Sequence, residues 1–173
     1  MYLNLILGNV FATLGAICVV ISVTKKNKND LIWWQVVNVF FCILSSWFFA
    51  AYAALITNCF SMIRNVMACK NKLSQNATIV LSASCLITGI YMNNLGVIGM
   101  LAILASVSYT IFMYITKNDQ QMRYAVVFSS ILWLIHDYCI KSYSTVLTGF
   151  VFIFWTLIQI IKNKNIPKRC KLV

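Results

Sequence analysis

Hydrophobic residues run through this chain in long stretches parted by short breaks rich in Lys, Asn, Asp and Gln. The stretch Tyr2–Val23 is followed by Thr24-Lys25-Lys26-Asn27-Lys28-Asn29-Asp30, and Leu31–Cys69 by Lys70-Asn71-Lys72-Leu73-Ser74-Gln75-Asn76. Ala77–Ile115 ends at Thr116-Lys117-Asn118-Asp119-Gln120-Gln121. Two shorter stretches, Tyr124–Ile140 and Thr145–Ile161, flank Lys141-Ser142-Tyr143, and a basic tail from Lys162 to Val173 carries the only proline, Pro167. No stretch alternates apolar and polar positions as a barrel strand does, so the pattern predicts helices.

Length then divides the long stretches. At about 1.5 Å per residue, Leu31–Cys69 as one rod would run nearly twice the roughly 30 Å hydrocarbon core of a bilayer. It is expected to fold back near Phe49-Ala50-Ala51-Tyr52, although neither Gly nor Pro marks that turn. Ala77–Ile115 poses the same problem, and Asn93-Asn94-Leu95-Gly96 supplies its turn. The expected fold is therefore all-α and transmembrane, with seven helices.

Composition agrees. With 61% hydrophobic and 10% charged residues over 173 positions, too little polar surface exists to coat a water-soluble globule. A net charge of +11 would point to nucleic acid in a soluble protein. Here the basic residues sit in the breaks, so they read as orientation signals, and no nucleic-acid partner is expected. With the amino terminus outside, twelve of the fourteen fall on the cytoplasmic side: Lys25, Lys26 and Lys28, then Lys70 and Lys72, then Lys117 and Arg123, then Lys162, Lys164, Lys168, Arg169 and Lys171. Lys141 falls outside, and Arg64 lies within the third helix. Leaving either long stretch as one helix would scatter the basic breaks over both sides, so parity favours seven spans, N-out and C-in. No basic segment precedes the first stretch and no small-residue cleavage site follows it, so it reads as a span rather than a removable signal.

The breaks also hint at a repeat. Lys28-Asn29-Asp30 matches Lys117-Asn118-Asp119 at an offset of 89, and Lys70-Asn71-Lys72 matches Lys162-Asn163-Lys164 at 92. Together they divide the chain into a triple-helix unit (1–72), a linker helix (73–93), a second triple-helix unit (94–164) and a basic cytoplasmic tail (165–173). Units separated by one span share an orientation, which makes them parallel repeats about the membrane normal. Gly8, Gly15, Gly96 and Gly99 are available for close packing or bending.

Candidate binding residues are few. Phe128–Tyr138 holds the only histidine, His136, and one of three acids, Asp137. Helical spacing puts Ser129, Trp133 and His136 on one face, with Asp137 one turn beyond Trp133. Ionisable groups within a span normally face a bundle interior or a water-filled cavity, although His136 is also close enough to the outer end for interfacial solvation. Arg64 reads first as an anchor snorkelling to the cytoplasmic interface. Asn58, near mid-membrane, needs a hydrogen-bond partner, and its counterpart in the last helix is Thr148 or Gln159, depending on register. Trp155 offers an apolar wall to a ligand or simple packing. Trp33 and Trp34 read as interfacial anchors.

Other chemistry finds no support. The seven cysteines, Cys18, Cys42, Cys59, Cys69, Cys85, Cys139 and Cys170, show no CxxC pair and no metal-ligand spacing, and read as small apolar filler. There is no HExxH, no glycine-rich phosphate loop and no carboxylate pair, since Asp30, Asp119 and Asp137 are dispersed and Glu is absent. Catalytic residues, a metal and a cofactor are not expected. Asn76-Ala77-Thr78 matches a glycosylation pattern, but in a break read as cytoplasmic.

Phe-Ser-x-x-x-Trp-x-Ile-His-Asp-Tyr at Phe128–Tyr138, with Tyr52 and Ile63-Arg64, resembles the YgjV-type bacterial inner membrane proteins over nearly the whole chain. The resemblance implies a bacterial inner membrane location and a loose relation to the SWEET and PQ-loop class of small transporters, and it supplies no substrate. The three, one and three arrangement is that of SWEET-type sugar transporters, but their prolines in the first span of each unit have no counterpart here. Members of the resembled family carry a second histidine that aligns on Ser45, which lies 91 positions before His136. Its absence weakens proton coupling as a mechanism. The expectation is a small transporter, embedded in the lipid bilayer, that binds a polar solute between the two units. The alternative is a non-transporting binding or assembly module, which would have a dry, packed centre.

Overall fold

The computed structural model describes residues 2–24, 28–70, 72–115 and 119–164. Their regular structure is helical throughout: α1 (Tyr2–Thr24), α2 (Lys28–Phe48), α3 (Tyr52–Cys69), α4 (Gln75–Tyr91), α5 (Val97–Ile115), α6 (Asp119–Cys139) and α7 (Tyr143–Lys164). The tail at 165–173 lies outside the described residues. Several helices run past the apolar stretches, with α2 beginning three residues before Leu31 and α6 five before Tyr124. Lys, Gln and Arg propagate a helix about as well as apolar residues do, so a helix need not stop where its hydrophobic stretch stops.

The stretch from Leu31 to Cys69 breaks where length requires, and a left-handed alanine serves in place of glycine: Ala50 has φ 51. Around it Phe49, Ala50 and Ala51 donate backbone N–H groups to the carbonyls of Ser45, Trp47 and Ser46, each at 3.0 Å. The α6–α7 corner has the same pattern. Lys141 has φ 62, and Ile140, Lys141 and Ser142 donate to His136, Tyr138 and Asp137 at 3.1, 3.1 and 2.9 Å. Every residue of the second corner stands 91 positions after its counterpart in the first. Between α4 and α5, Gly96 (φ 57) makes the turn, and Asn93 braces it by donating to the Gly96 carbonyl at 2.7 Å and accepting from the Leu95 N–H at 3.1 Å.

Neighbouring helices form a closed ring. α1 packs on α2, α2 on α3, α3 on α5, α5 on α6, α6 on α7, and α7 returns to α1, while α4 lies against α3 and α5. Two asparagines stitch the seams where the ring closes. Asn94 donates to the Ala50 carbonyl at 2.6 Å and accepts from the Tyr52 N–H at 3.2 Å. Asn9 donates to the Lys141 carbonyl at 3.4 Å and accepts from the Ser144 N–H at 3.5 Å. Each grips the carbonyl of a left-handed corner residue. These bonds also put the α2–α3, α4–α5 and α6–α7 turns at one end of the bundle.

Burial is inverted relative to a soluble protein. The buried set is dominated by Ser, Thr, Asn and Ala, whereas Ile, Leu, Phe and Trp are widely exposed, among them Trp47, Ile131, Phe150, Phe154 and Ile161. Large apolar patches of this kind mark a surface that faces something other than water, and small residues inside let backbones approach closely. At Gly8 the approach of the α2–α3 corner is so close that a Cβ would sit 2.8 Å from Phe49 Cζ. Among the described residues, two helices are long and apolar enough to cross a bilayer, at Tyr2–Ile21 and Val97–Ile115, and Trp33–Phe48 and Tyr143–Ile158 are shorter apolar segments.

Candidate functional site

The ring encloses a cavity of about 380 Å³, lined by side chains of α1, α2, α3, α5, α6 and α7 and by none of α4. Along α2 its lining runs from Gln35 to Ser46, a rise of about 16 Å. The lining residues Gln35, Asn38, Val39, Cys42 and Ser46 of α2 and Val126, Ser129, Ser130, Trp133 and Asp137 of α6 stand in pairs 91 positions apart. Both sets follow the three- and four-residue spacing that keeps side chains on one helix face. Asn58 and Ser61 of α3 pair with Gly149 and Phe152 of α7 at the same offset.

Polar groups are distributed along this cavity. Asn58, 8% exposed, donates through Nδ2 to Ser46 Oγ at 3.3 Å, so the partner that a mid-span amide requires comes from α2. Ser45 lines the cavity and donates to the Gly8 carbonyl at 2.9 Å. Ser129 donates to the Ala105 carbonyl at 3.1 Å. His136 is fully buried beside the cavity, its ring 5.5 Å from that of Trp133 and nearly perpendicular to it. Its Nδ1 lies 3.0 Å from Asp137 Oδ1, and its Nε2 is buried with no hydrogen-bond partner among the described residues. Asp137 itself faces the cavity.

Arg64 does not reach for the interface. It is 6% exposed and lines the cavity. Its Nε and Nη2 groups donate to Asn65 Oδ1 at 3.3 and 3.2 Å, and Nη1 donates to Thr110 Oγ1 at 3.2 Å. Its guanidinium carbon lies 4.6 Å from the Tyr109 ring centroid. Neutral oxygens on α3 and α5 therefore hold inward a side chain long enough to have turned either way.

The structure thus brings Asn58, Arg64, Trp133 and Asp137 to one cavity, with His136 behind Trp133 and Asp137. Trp155 is placed elsewhere: it is 56% exposed and faces away from the cavity. The side chain of Gln159 lies outside the described residues. Thr148, the other expected counterpart of Asn58, lines the cavity. Sequence reasoning passed over Gln35, Asn38, Ser46, Asn65 and Tyr109, all in the lining. The signal for three of the lining positions was present, since Asn38, Cys42 and Ser46 stand 91 positions before Ser129, Trp133 and Asp137. A second, open groove of about 320 Å³ lies along α1 between Leu5 and Thr13, with Tyr143 at its edge.

These groups equip the cavity for noncovalent recognition: hydroxyls and amides around the wall, one cation, one carboxylate and an indole face. A family model, Imp-YgjV, described as bacterial inner membrane protein, matches residues 6–165. Comparisons with curated proteins and with solved structures give no match.

Proposed function

This chain belongs to the Imp-YgjV family of bacterial inner membrane proteins, and from that premise we propose that it is a small-solute transporter binding its solute in the central cavity. The observation that carries the proposal is the cavity itself: inside the ring, lined by all six ring helices, and presenting Asn38, Asn58, Arg64 and Asp137 on an otherwise largely apolar wall. Such a void differs from the dry, packed centre expected of the alternative module, because polar groups facing one must be hydrated or liganded.

The proposed topology has seven spans, N-out and C-in, in which the ring divides into α1–α3 and α5–α7 with α4 as linker. The charge parity of the breaks and the outward-facing Ile, Leu and Phe support this. The repeat reading gains support from two observations: corners hydrogen-bonded alike 91 positions apart, and cavity residues paired at the same offset. A two-fold relation along the membrane normal maps the α3·α5 seam onto the α7·α1 seam. Rocking of one unit against the other at these seams would expose the cavity to alternate sides.

The test is reconstitution of the purified chain in liposomes with a metabolite screen, comparing the natural protein with Ala16→Phe. Ala16 lines the cavity, so the added ring obstructs it. Uptake of at least one polar solute that Ala16→Phe abolishes is the expected result. Equal uptake by both proteins, or none by either alongside a co-purifying partner that depends on this chain, would sink the proposal.

A further inference from the structure

We infer that the ligand of this cavity presents an oxyanion, a carboxylate or phosphate group, to Arg64. The inference rests on reading the cavity as a ligand site and goes beyond it in naming the chemistry.

Arg64 is the reason. A charge buried without a counter-charge is among the most costly groups a protein can hold, and such groups persist when something compensates them. None of the described acids lies within ion-pair distance of Arg64, and its three hydrogen bonds all go to neutral oxygens. The face of Tyr109 adds partial compensation. A guanidinium has five N–H donors, so two remain, one on each terminal nitrogen. Donors so placed suit the oxygens of a carboxylate or phosphate. It sits in the cavity wall, where Asn65 and Tyr109 also line the space.

Two further observations fix the position of the oxyanion. The residue 91 positions after Arg64 is Trp155, which faces outward, and among the described lining residues the first unit alone supplies a cation, so the ligand is held at one side of the cavity. The carboxylate in the lining, Asp137, is engaged by His136 and lies near the corner end of α6. Arg64 is ten residues farther from its own corner than Asp137 is from its corner, about 15 Å along the axis. An oxyanion at Arg64 is thereby kept clear of Asp137.

The experiment uses the full chain purified in a neutral detergent. Thermal unfolding is followed in rising succinate and rising inorganic phosphate, each against sodium chloride at matched ionic strength. The expected result is a saturable rise in midpoint with at least one oxyanion, weakened about tenfold or more in Arg64→Gln, as befits loss of a charge-assisted hydrogen bond, and partly kept in Arg64→Lys. No saturable rise in the natural protein with either oxyanion or with anionic lipid, or an unchanged rise in Arg64→Gln, overturns the inference. The first arm stands even where the variant does not fold.

A parallel series in nanodiscs of neutral lipid with added phosphatidylglycerol separates the sources. Stabilisation by that lipid alone, lost in Arg64→Gln, upholds the oxyanion at Arg64 as a lipid headgroup and contradicts solute transport. Glucose, as a neutral polar probe, stabilising the natural protein and Arg64→Gln alike while neither oxyanion acts, overturns the oxyanion and leaves solute binding standing. Oxyanion binding without uptake in the liposome screen upholds the oxyanion and overturns transport.

Discussion

Ala50 and Lys141, 91 positions apart, both hold left-handed backbone and close their corners with the same three hydrogen bonds. A non-glycine residue in that region costs roughly 1–2 kcal/mol, and replacing it with glycine returns about 0.4–1 of that to the unfolded chain as entropy. Ala50→Gly and Lys141→Gly are each expected to raise stability by up to about 1 kcal/mol. Ala50→Val, which is β-branched, should lower it by about 1 kcal/mol or more. Chemical unfolding in detergent measures all three, and a corner indifferent to Val would contradict the left-handed assignment.

The two seams differ in the quality of their stitching. Asn94 makes bonds of 2.6 and 3.2 Å, whereas Asn9 makes bonds of 3.4 and 3.5 Å across the ring. An ordinary hydrogen bond contributes about 0.5–1.5 kcal/mol net, and both bonds of Asn94 are exposed. Asn94→Ala should therefore destabilise by about 1 kcal/mol, and Asn9→Ala by less. The opposite order in thermal midpoints would show that the α1·α7 seam carries more than its geometry suggests.

Gly8 has no space for a side chain, with the Phe49 ring 2.8 Å from where a Cβ would stand. Gly8→Ala should cost about 1–3 kcal/mol by overpacking. Much of that loss should vanish against a Phe49→Leu background, because the clashing atoms are then gone. A double-mutant cycle that comes out additive would rule out this contact as the cause.

Trp133 and Trp155 separate cavity from surface. Trp133 lines the cavity and Trp155 is exposed on the outer face. Trp133→Ala is expected to weaken solute-induced stabilisation about tenfold or more, the fold-change of roughly 1.4 kcal/mol, while Trp155→Ala leaves it unchanged. Equal effects would place the ligand outside the ring.

Helix number was legible in the sequence because bilayer thickness limits a span and the breaks carry charge. The break at Ala50 was found by length alone, since its left-handed conformation is held by tertiary hydrogen bonds that no local residue preference announces. The candidate site was half legible. Asn58, Trp133 and Asp137 were found from polar residues inside apolar stretches. The inward turn of Arg64 was not, because its stem reaches the interface as easily as the interior, and only Thr110 and Asn65 decide between them. Trp155 was misplaced by helix phase. Its neighbour Thr156 is buried, and one residue is a rotation of about 100°, enough to move a side chain from the interior to the outer face.

Transport as proposed requires the ring to hold a hydrated cavity open to one side of the membrane at a time. The most direct measurement replaces the native cysteines with alanine, introduces a single cysteine at Ser130 in the cavity wall or at Phe154 on the outer face, and follows reaction with a membrane-impermeant thiol reagent in membrane vesicles of both orientations. The account predicts that the cysteine at position 130 reacts, from one side more than the other, and is shielded by the solute that stabilises the protein, whereas the cysteine at 154 stays inert in lipid. A cysteine at 130 as inert as that at 154 from both sides would mean a dry, packed centre and would contradict the account.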